Sequence, residues 1–225
     1  MRARDIVLDG RVLVSGSIAI KPERLVDPAE PIEVQGPPRR FVSRGGDKLN
    51  AALDEFAIDV EGMRCVDIGA STGGFTDCLL QRGAASVIAL DVGHGQLDWS
   101  LRQNTKVTLH EHTDVRSYDA TTIPVPDLVV VDVSFISLRT VLPAIASIAR
   151  GAPVVALVKP QFEVGRAKVP KGGIVRDPVM QMYALAEVTS AAEELGFETV
   201  GATPSVISGA RGNKEIFVLL KGKRI

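Results

Sequence analysis

Nine consecutive residues, Asp67-Ile68-Gly69-Ala70-Ser71-Thr72-Gly73-Gly74-Phe75, set an acid two positions ahead of a run of small side chains. The apolar stretch Cys65–Ile68 before the run predicts a strand, and Gly74–Gln81 after it predicts a helix. Small residues at such a turn let a ligand approach the backbone at the carboxyl edge of a sheet. A nicotinamide site would want glycine at position 71 as well as at 69 and 74, so that pyrophosphate rests on the helix. Ser71 breaks that pattern. Asp67 would repel a pyrophosphate but would favour an ammonium group, such as that on the methionine half of S-adenosylmethionine. Asp91 lies 22 residues beyond Gly69, where an acid takes ribose hydroxyls. Asp114 follows the next apolar stretch and suits an adenine amino group. The alternative is that Asp91 and Asp114 simply cap helices or turns.

A methyl donor narrows the chemistry to the ends of two later strands. Enzymes that methylate amino groups usually carry Asn/Asp-Pro-Pro-Tyr at the first of them, whereas this chain has Asp132-Val133-Ser134-Phe135. Those that attack a base carbon covalently need a Pro-Cys nucleophile. Here the second strand ends Val158-Lys159-Pro160-Gln161, and neither Cys65 nor Cys78 is near. Lys48, Asp132, Lys159 and Glu215 remain.

These four resemble the Lys-Asp-Lys-Glu set of the FtsJ-like ribose 2′-O-methyltransferases, and within them the TlyA subfamily. The resemblance spans residues 43–225 through Ser43-Arg44-Gly45-Gly46-Asp47-Lys48-Leu49, Asp67–Phe75, Val131–Ser137, Leu157–Glu163 and Ser208–Glu215. It implies S-adenosylmethionine-dependent 2′-O-methylation of cytidine in ribosomal RNA, on the large subunit and in some members also the small one. It implies a Rossmann-like fold, and a cofactor set of Asp67, Gly69, Ala70, Ser71, Gly73, Gly74, Phe75, Asp91, Val92, Asp114, Val115 and Asp132. Lys159 is cast as general base. A free lysine titrates near about 10.4, and burial beside a second ammonium would lower that value. Lys48 would orient the hydroxyl, and Asp132 and Glu215 would hold the two amines. The bland alternative is a buried ion-pair network.

The elements that must position these residues read as alternating strands and helices. A helix from Ser43 to about Phe56, capped by Ser43, carries Leu49, Leu53 and Phe56 on one face. Strands are expected at Cys65–Ile68, Ser86–Asp91, Val107–His110, Asp127–Val133 and Pro153–Val158. Helices are expected at Gly74–Gln81, Gln96–Arg102, Leu138–Ala149 and Pro178–Leu195. Apolar strands separated by amphipathic helices predict a doubly wound, mostly parallel α/β sheet. Thr199–Val206 and Glu215–Leu220 have no helix between them and predict a C-terminal antiparallel edge pair.

Residues 1–36 form a different piece. A short helix, Met1–Leu8, leads into strands near Arg11–Val14, Ile18–Ile20 and Ile32–Val34, and residues 37–42 read as a linker opened by Pro37-Pro38. Gly10–Gly16 with Lys21-Pro22 resembles the later half of the S-four-type RNA-binding domain. That domain normally begins with another helix and turn, so a partial α+β module is expected here.

Net charge is −1, yet Lys159–Arg176 and Arg211–Ile225 each hold five basic residues against one acid. Polyanion binding needs only a local patch. The expected RNA contacts are Arg2, Arg4, Arg11, Arg39, Arg40, Arg44, Arg166, Lys168, Lys171, Lys221 and Lys223. Two cysteines without Cys/His clustering predict buried thiols and no metal site. No apolar run reaches the roughly 18–20 residues of a membrane span, and no signal peptide opens the chain, so a cytoplasmic protein without a membrane partner is expected. The rival readings are a membrane-active haemolysin, a catalytically silent ribosome-binding protein and an oxidoreductase. His94, His110 and His112 lack ligand spacing and read as surface or satisfied residues.

Overall fold

The computed structural model describes residues 3–8, 10–36, 40–209 and 212–222, with the backbone alone at residues 4 and 5. Helix α1 (Ala3–Leu8) precedes a small antiparallel sheet of β1 (Val12–Val14), β2 (Ser17–Ile18) and β3 (Ile32–Val34), with β1 central. Val12, Val14 and Ala19 are its buried residues, packed by Ile6, Val7 and Val26.

The rest is one seven-stranded sheet with helices on both faces. Its elements are α2 (Arg44–Glu55), β4 (Arg64–Ile68), α3 (Gly74–Gln81), β5 (Ser86–Leu90), α4 (Trp99–Arg102) and β6 (Val107–His110). They continue with β7 (Leu128–Val131), α5 (Leu138–Ala149), β8 (Val154–Val158), α6 (Pro160–Glu163), α7 (Pro178–Glu194), β9 (Phe197–Pro204) and β10 (Ile216–Gly222). The strand order is β6-β5-β4-β7-β8-β10-β9. Strands β4 to β8 are parallel, and β10 is antiparallel to both of its neighbours. This is the doubly wound Rossmann-like arrangement that the alternating pattern predicts.

Packing explains why β7 and β8 are apolar throughout. Val129 and Val131 face the core with Leu142, Ile145 and Val188, while Leu128 and Val130 face Leu49, Leu53 and Leu79 on the other side. A strand covered on both faces has no polar side to show. From β4 the chain winds outward through β5 and β6, and then returns to place β7 on the other side of β4. That reversal opens a crevice at the carboxyl ends of β4 and β7, where open α/β sheets bind ligands.

Several boundaries differ from the sequence reading. The helix expected from Gln96 starts at Trp99, because the Asp98 carboxylate accepts the Ser100 amide and caps it there. Strand β7 stops at Val131, short of Val133. At its other end Asp127 lies outside the strand and pairs with the Arg64 side chain. Strand β9 begins at Phe197, and the helix α6 and three short 3₁₀ turns were not anticipated. The terminal pair is present, but only β9 is an edge; β10 is interior, between β8 and β9.

Candidate active site

The turn after β4 is built from backbone contacts that only small residues permit. Gly69 has φ +87°, and a Cβ there would lie 2.5 Å from the Asp132 carbonyl oxygen. The turn therefore presses directly against the end of β7. Gly74 opens α3 against the start of α2, where a Cβ would lie 2.2 Å from Ser43 Oγ and 2.8 Å from the Gly46 nitrogen. This close crossing brings Lys48 of α2 over the crevice. Ser71 is left-handed at φ +49°, and its amide donates to Asp91 Oδ2 at 2.7 Å.

Asp67 lies elsewhere than the spacing suggests. It is fully buried beneath the turn, where Thr76 Oγ1 of α3 donates to its Oδ2 at 2.7 Å and its Oδ1 has no partner. Burial, opposed by the Thr76 bond, pushes its carboxyl up to about 7. Strand alternation turns Val66 and Ile68 toward the core behind the crevice, and Asp67 toward α3.

Asp91 and Asp114 both line a cavity of about 380 Å³ with Ile68, Leu90, Val92, Val115 and Ile136. Both also cap turns. Asp91 accepts the Ser71 and Gly93 amides, and Asp114 accepts the Arg116 amide. The Arg116 guanidinium beside Asp114 holds that exposed carboxyl down at about 2.

A second cavity, about 290 Å³, continues from the first through Gly69, Ser71, Asp132 and Ser134. Ala70, Gly74, Phe75, Arg44, Lys48 and Lys159 are also in its wall, while Gly73 caps α3. Two lysine–acid pairs meet here. Lys48 Nζ donates to Glu215 Oε2 at 2.6 Å, with Glu215 3% exposed. Lys159 Nζ lies 2.5 Å from Asp132 Oδ1, a close ion pair off the hydrogen-bonding direction, and donates to Ser134 Oγ at 2.7 Å. The register explains the convergence. Ile216 of β10 pairs with Val158 of β8, so Glu215 and Lys159 emerge side by side at the same sheet edge.

A third cavity, about 450 Å³, lies beyond the lysines and shares Lys48, Ser134 and Lys159 with the second. Phe135 and Phe162 stand in its wall with ring centroids 5.5 Å apart. Phe135 is 92% exposed and left-handed at φ +66°. Sequence reasoning assigned no role to Ser134, Phe135 or Gln161, although all three sit in the quoted motifs. An aromatic residue in the polar Asp132–Ser137 loop was the available signal. Glu163, 2% exposed, ties the two strand ends together. Ser137 Oγ donates to it at 2.5 Å and the Leu138 amide at 2.8 Å, and burial raises its carboxyl.

The expected RNA contacts divide. Arg40 and Arg44 are exposed, and Arg44 lines the second cavity. Arg166, Lys168 and Lys171 are exposed on the loop whose Val169 and Gly173 wall the third cavity. Lys168 stacks over the Tyr183 ring at 4.5 Å. Arg11 donates to the Gln35 and Gly36 carbonyls and so braces the small sheet. Lys221 follows Leu220, which pairs with Val154 at the start of β8, so it stands at the sheet edge opposite the crevice. Arg2, Arg39, Lys223 and the Arg4 side chain lie outside the described residues. Both cysteines are free and buried, their thiols pushed up to about 12 by burial. His94 stacks on His112 and lies 3.1 Å from Glu111, and His110 meets the Tyr118 ring edge-on. Among the described residues, no three His, Cys, Asp or Glu side chains are grouped to hold a metal ion, and no helix is long and apolar enough to cross a membrane.

Comparison with known proteins adds an independent line. The family model described as FtsJ-like methyltransferase matches residues 41–223. The chain is 47% identical over 223 residues to the 16S/23S rRNA (cytidine-2'-O)-methyltransferase TlyA of Mycobacterium tuberculosis, covering 98% of this chain and 83% of that protein. It is 42% identical over 218 residues to Hemolysin A of Brachyspira hyodysenteriae, covering 95% and 90% of the two. A solved structure titled as a hemolysin from Streptococcus thermophilus superimposes with a TM-score of 0.84 at 42% identity, covering 98% of this chain and 82% of that one.

Proposed function

The chain belongs to the FtsJ-like methyltransferase family, and from that premise we propose that it methylates the ribose 2′-hydroxyl of a cytidine in ribosomal RNA with S-adenosylmethionine. The single observation that carries this reading is the convergence of two lysine–acid pairs, Lys48–Glu215 and Lys159–Asp132, on a cavity contiguous with the glycine-rich turn. The relative of known name at 47% identity supports the substrate.

The residues present fit the cofactor. The small-residue turn and the acids after β5 and β6 line one connected cavity, and Asp67, buried beneath that turn with one oxygen unpartnered, supports it from below. Asp91 and Asp114 would face the adenosine half, with Val92 and Val115 beside the base. Gly69, Ala70, Ser71, Gly73, Gly74 and Phe75 shape the turn, and Asp132 stands where the first two cavities join. When bound, S-adenosylmethionine supplies an electrophilic methyl group on a sulfonium.

The chain's own residues do the rest. Lys48 donates toward the ribose oxygen and orients it for in-line attack. Lys159 is the group placed to take the hydroxyl proton on Nζ, while Asp132 and Ser134 keep that nitrogen in place. Glu215 holds Lys48. Phe135 offers an exposed face on which a splayed-out base can stack. Exposed Arg40, Arg44, Arg166, Lys168 and Lys171 would track phosphates, and residues 1–36 would serve as a second RNA contact across the 37–42 linker.

The test is methyl transfer from isotopically labelled S-adenosylmethionine to purified ribosomal subunits, followed by nucleoside mass spectrometry. The expected product is 2′-O-methylcytidine. Label on a base, or no label in RNA from either subunit, would overturn the assignment.

A further inference from the structure

We propose that Gln161 reads the base of the target nucleotide and sets the preference for cytidine over uridine. The inference rests on the reading above, that the ribose hydroxyl is held at Lys48 and Lys159.

The 450 Å³ cavity beyond those lysines is lined by six polar side chains: Lys48, Ser134, Lys159, Gln161, Asn213 and Glu215. Five of them are engaged within the protein. Lys48 pairs with Glu215, and Lys159 donates to Ser134. Asn213 accepts the Val175 amide and donates to the Gly173 carbonyl. Gln161 differs, because its Oε1 is buried with no hydrogen-bond partner. A buried amide oxygen without a partner is costly, and turning the amide of Gln161, which lines the cavity, toward a ligand edge would relieve it.

Position strengthens the case. Gln161 is two residues beyond Lys159 and shares the turn into α6. A group fixed there keeps a constant distance from the nitrogen that takes the proton. A ribose at the lysines must place its base within one nucleoside's reach, and this cavity is the space on that side. Phe135 and Phe162 in its wall offer apolar surface for the face of a base, and its polar side chains are then left to meet the edge.

The chemistry matches cytosine. Its Watson–Crick edge presents the N4 amino donor beside the N3 acceptor, complementary to the acceptor and donor of one glutamine amide. Uracil presents the reverse order, so the preference requires the rotamer that sets Oε1 toward N4; the flipped amide would favour uracil. Lys48 is paired with Glu215, and Lys159 Nζ is committed to the ribose hydroxyl, so neither serves the N4 amino group.

The experiment first maps the methylated cytidine, then offers subunits carrying cytidine or uridine at that position to the parent enzyme, Gln161→Met and Gln161→Glu. The expected result for Gln161→Met is a roughly ten- to hundredfold lower kcat/KM on the cytidine substrate, a cytidine-to-uridine ratio close to one, and unchanged S-adenosylmethionine affinity by calorimetry. Gln161→Glu keeps the acceptor for N4 but loses the donor to N3, so it should fall between the two. It also provides a polar variant should Gln161→Met fold poorly. A parental cytidine-to-uridine ratio in either variant that folds and binds cofactor overturns the role of Gln161. Failure of the parent enzyme to methylate cytidine at all would instead overturn the function on which the proposal stands.

Discussion

The ammonium of Lys48 and the carboxylate of Glu215 lie 2.6 Å apart across 167 residues of chain, in a nearly dry setting. Truncating one partner strands the other charge, which costs about 3–5 kcal/mol when a buried pair is broken. Glu215→Ala should therefore lower the unfolding free energy by an amount of that order. Lys48→Met with Glu215→Leu should cost clearly less than the sum of the two single changes. Denaturant melts arranged as a double-mutant cycle measure the difference. Simple additivity would show that the two groups do not depend on each other.

Lys159 is held by Asp132 on one side and Ser134 on the other. Lys159→Ala should lower single-turnover methylation by roughly 10²–10⁴, as expected for a lost general base. Cofactor affinity should change little. Near-parental turnover would remove Lys159 from proton transfer.

Gly69→Val should weaken the cofactor site and the fold together. A side chain at this position meets the Asp132 carbonyl within 2.5 Å and must adopt φ +87°, so the end of β7 has to move. Calorimetry should show weakened S-adenosylmethionine binding, and thermal melts a lower Tm. Parental values for both would mean that the turn tolerates what the geometry forbids.

Asp67 makes stability depend on pH. Its carboxyl titrates near about 7 in the folded chain and near about 3.9 when unfolded, so the folded state holds a proton that the unfolded state has lost between those values. Stability is then full below about pH 4 and declines as pH rises through 7, by up to roughly 4 kcal/mol. Asp67→Asn should flatten that slope and leave the ligand-free protein more stable than its parent at pH 8. Unfolding curves from pH 4 to 8 decide it; an unchanged slope would assign the dependence to other groups.

RNA affinity should be salt-dependent through the loop beside the third cavity. Lys168→Glu and Lys171→Glu should each weaken binding to ribosomal subunits and reduce the slope of log affinity against log salt by roughly 1. Lys221→Glu, at the opposite sheet edge, should leave both unchanged. Equal effects from all three would mean that RNA wraps beyond the crevice.

Much of this protein was legible before folding, because it depends on neighbours in sequence. The run Gly69–Gly73 is a turn since its glycines take up the left-handed backbone and the close approach to β7 that larger residues resist. Leu128–Val131 and Val154–Val158 are interior strands since no polar face interrupts them. Ser43 caps α2 by accepting the Gly45 amide, a contact two residues long. The resemblance to the FtsJ-like Lys-Asp-Lys-Glu set also singled out Lys48, Asp132, Lys159 and Glu215, but not which lysine holds which acid. That depends on β10 inserting between β8 and β9 in antiparallel register, which brings Glu215 to the end of β8 and sends Lys221 to the far edge. The face on which Asp67 sits was equally hidden. Strand alternation says only that Asp67 opposes Ile68; the helices packed on each face decide that Asp67 is buried on Thr76 beneath the turn. Local propensity operates over a few residues, whereas strand order and side-chain facing come from how whole layers bury their apolar surfaces, and the geometry of the candidate site belongs to that second scale.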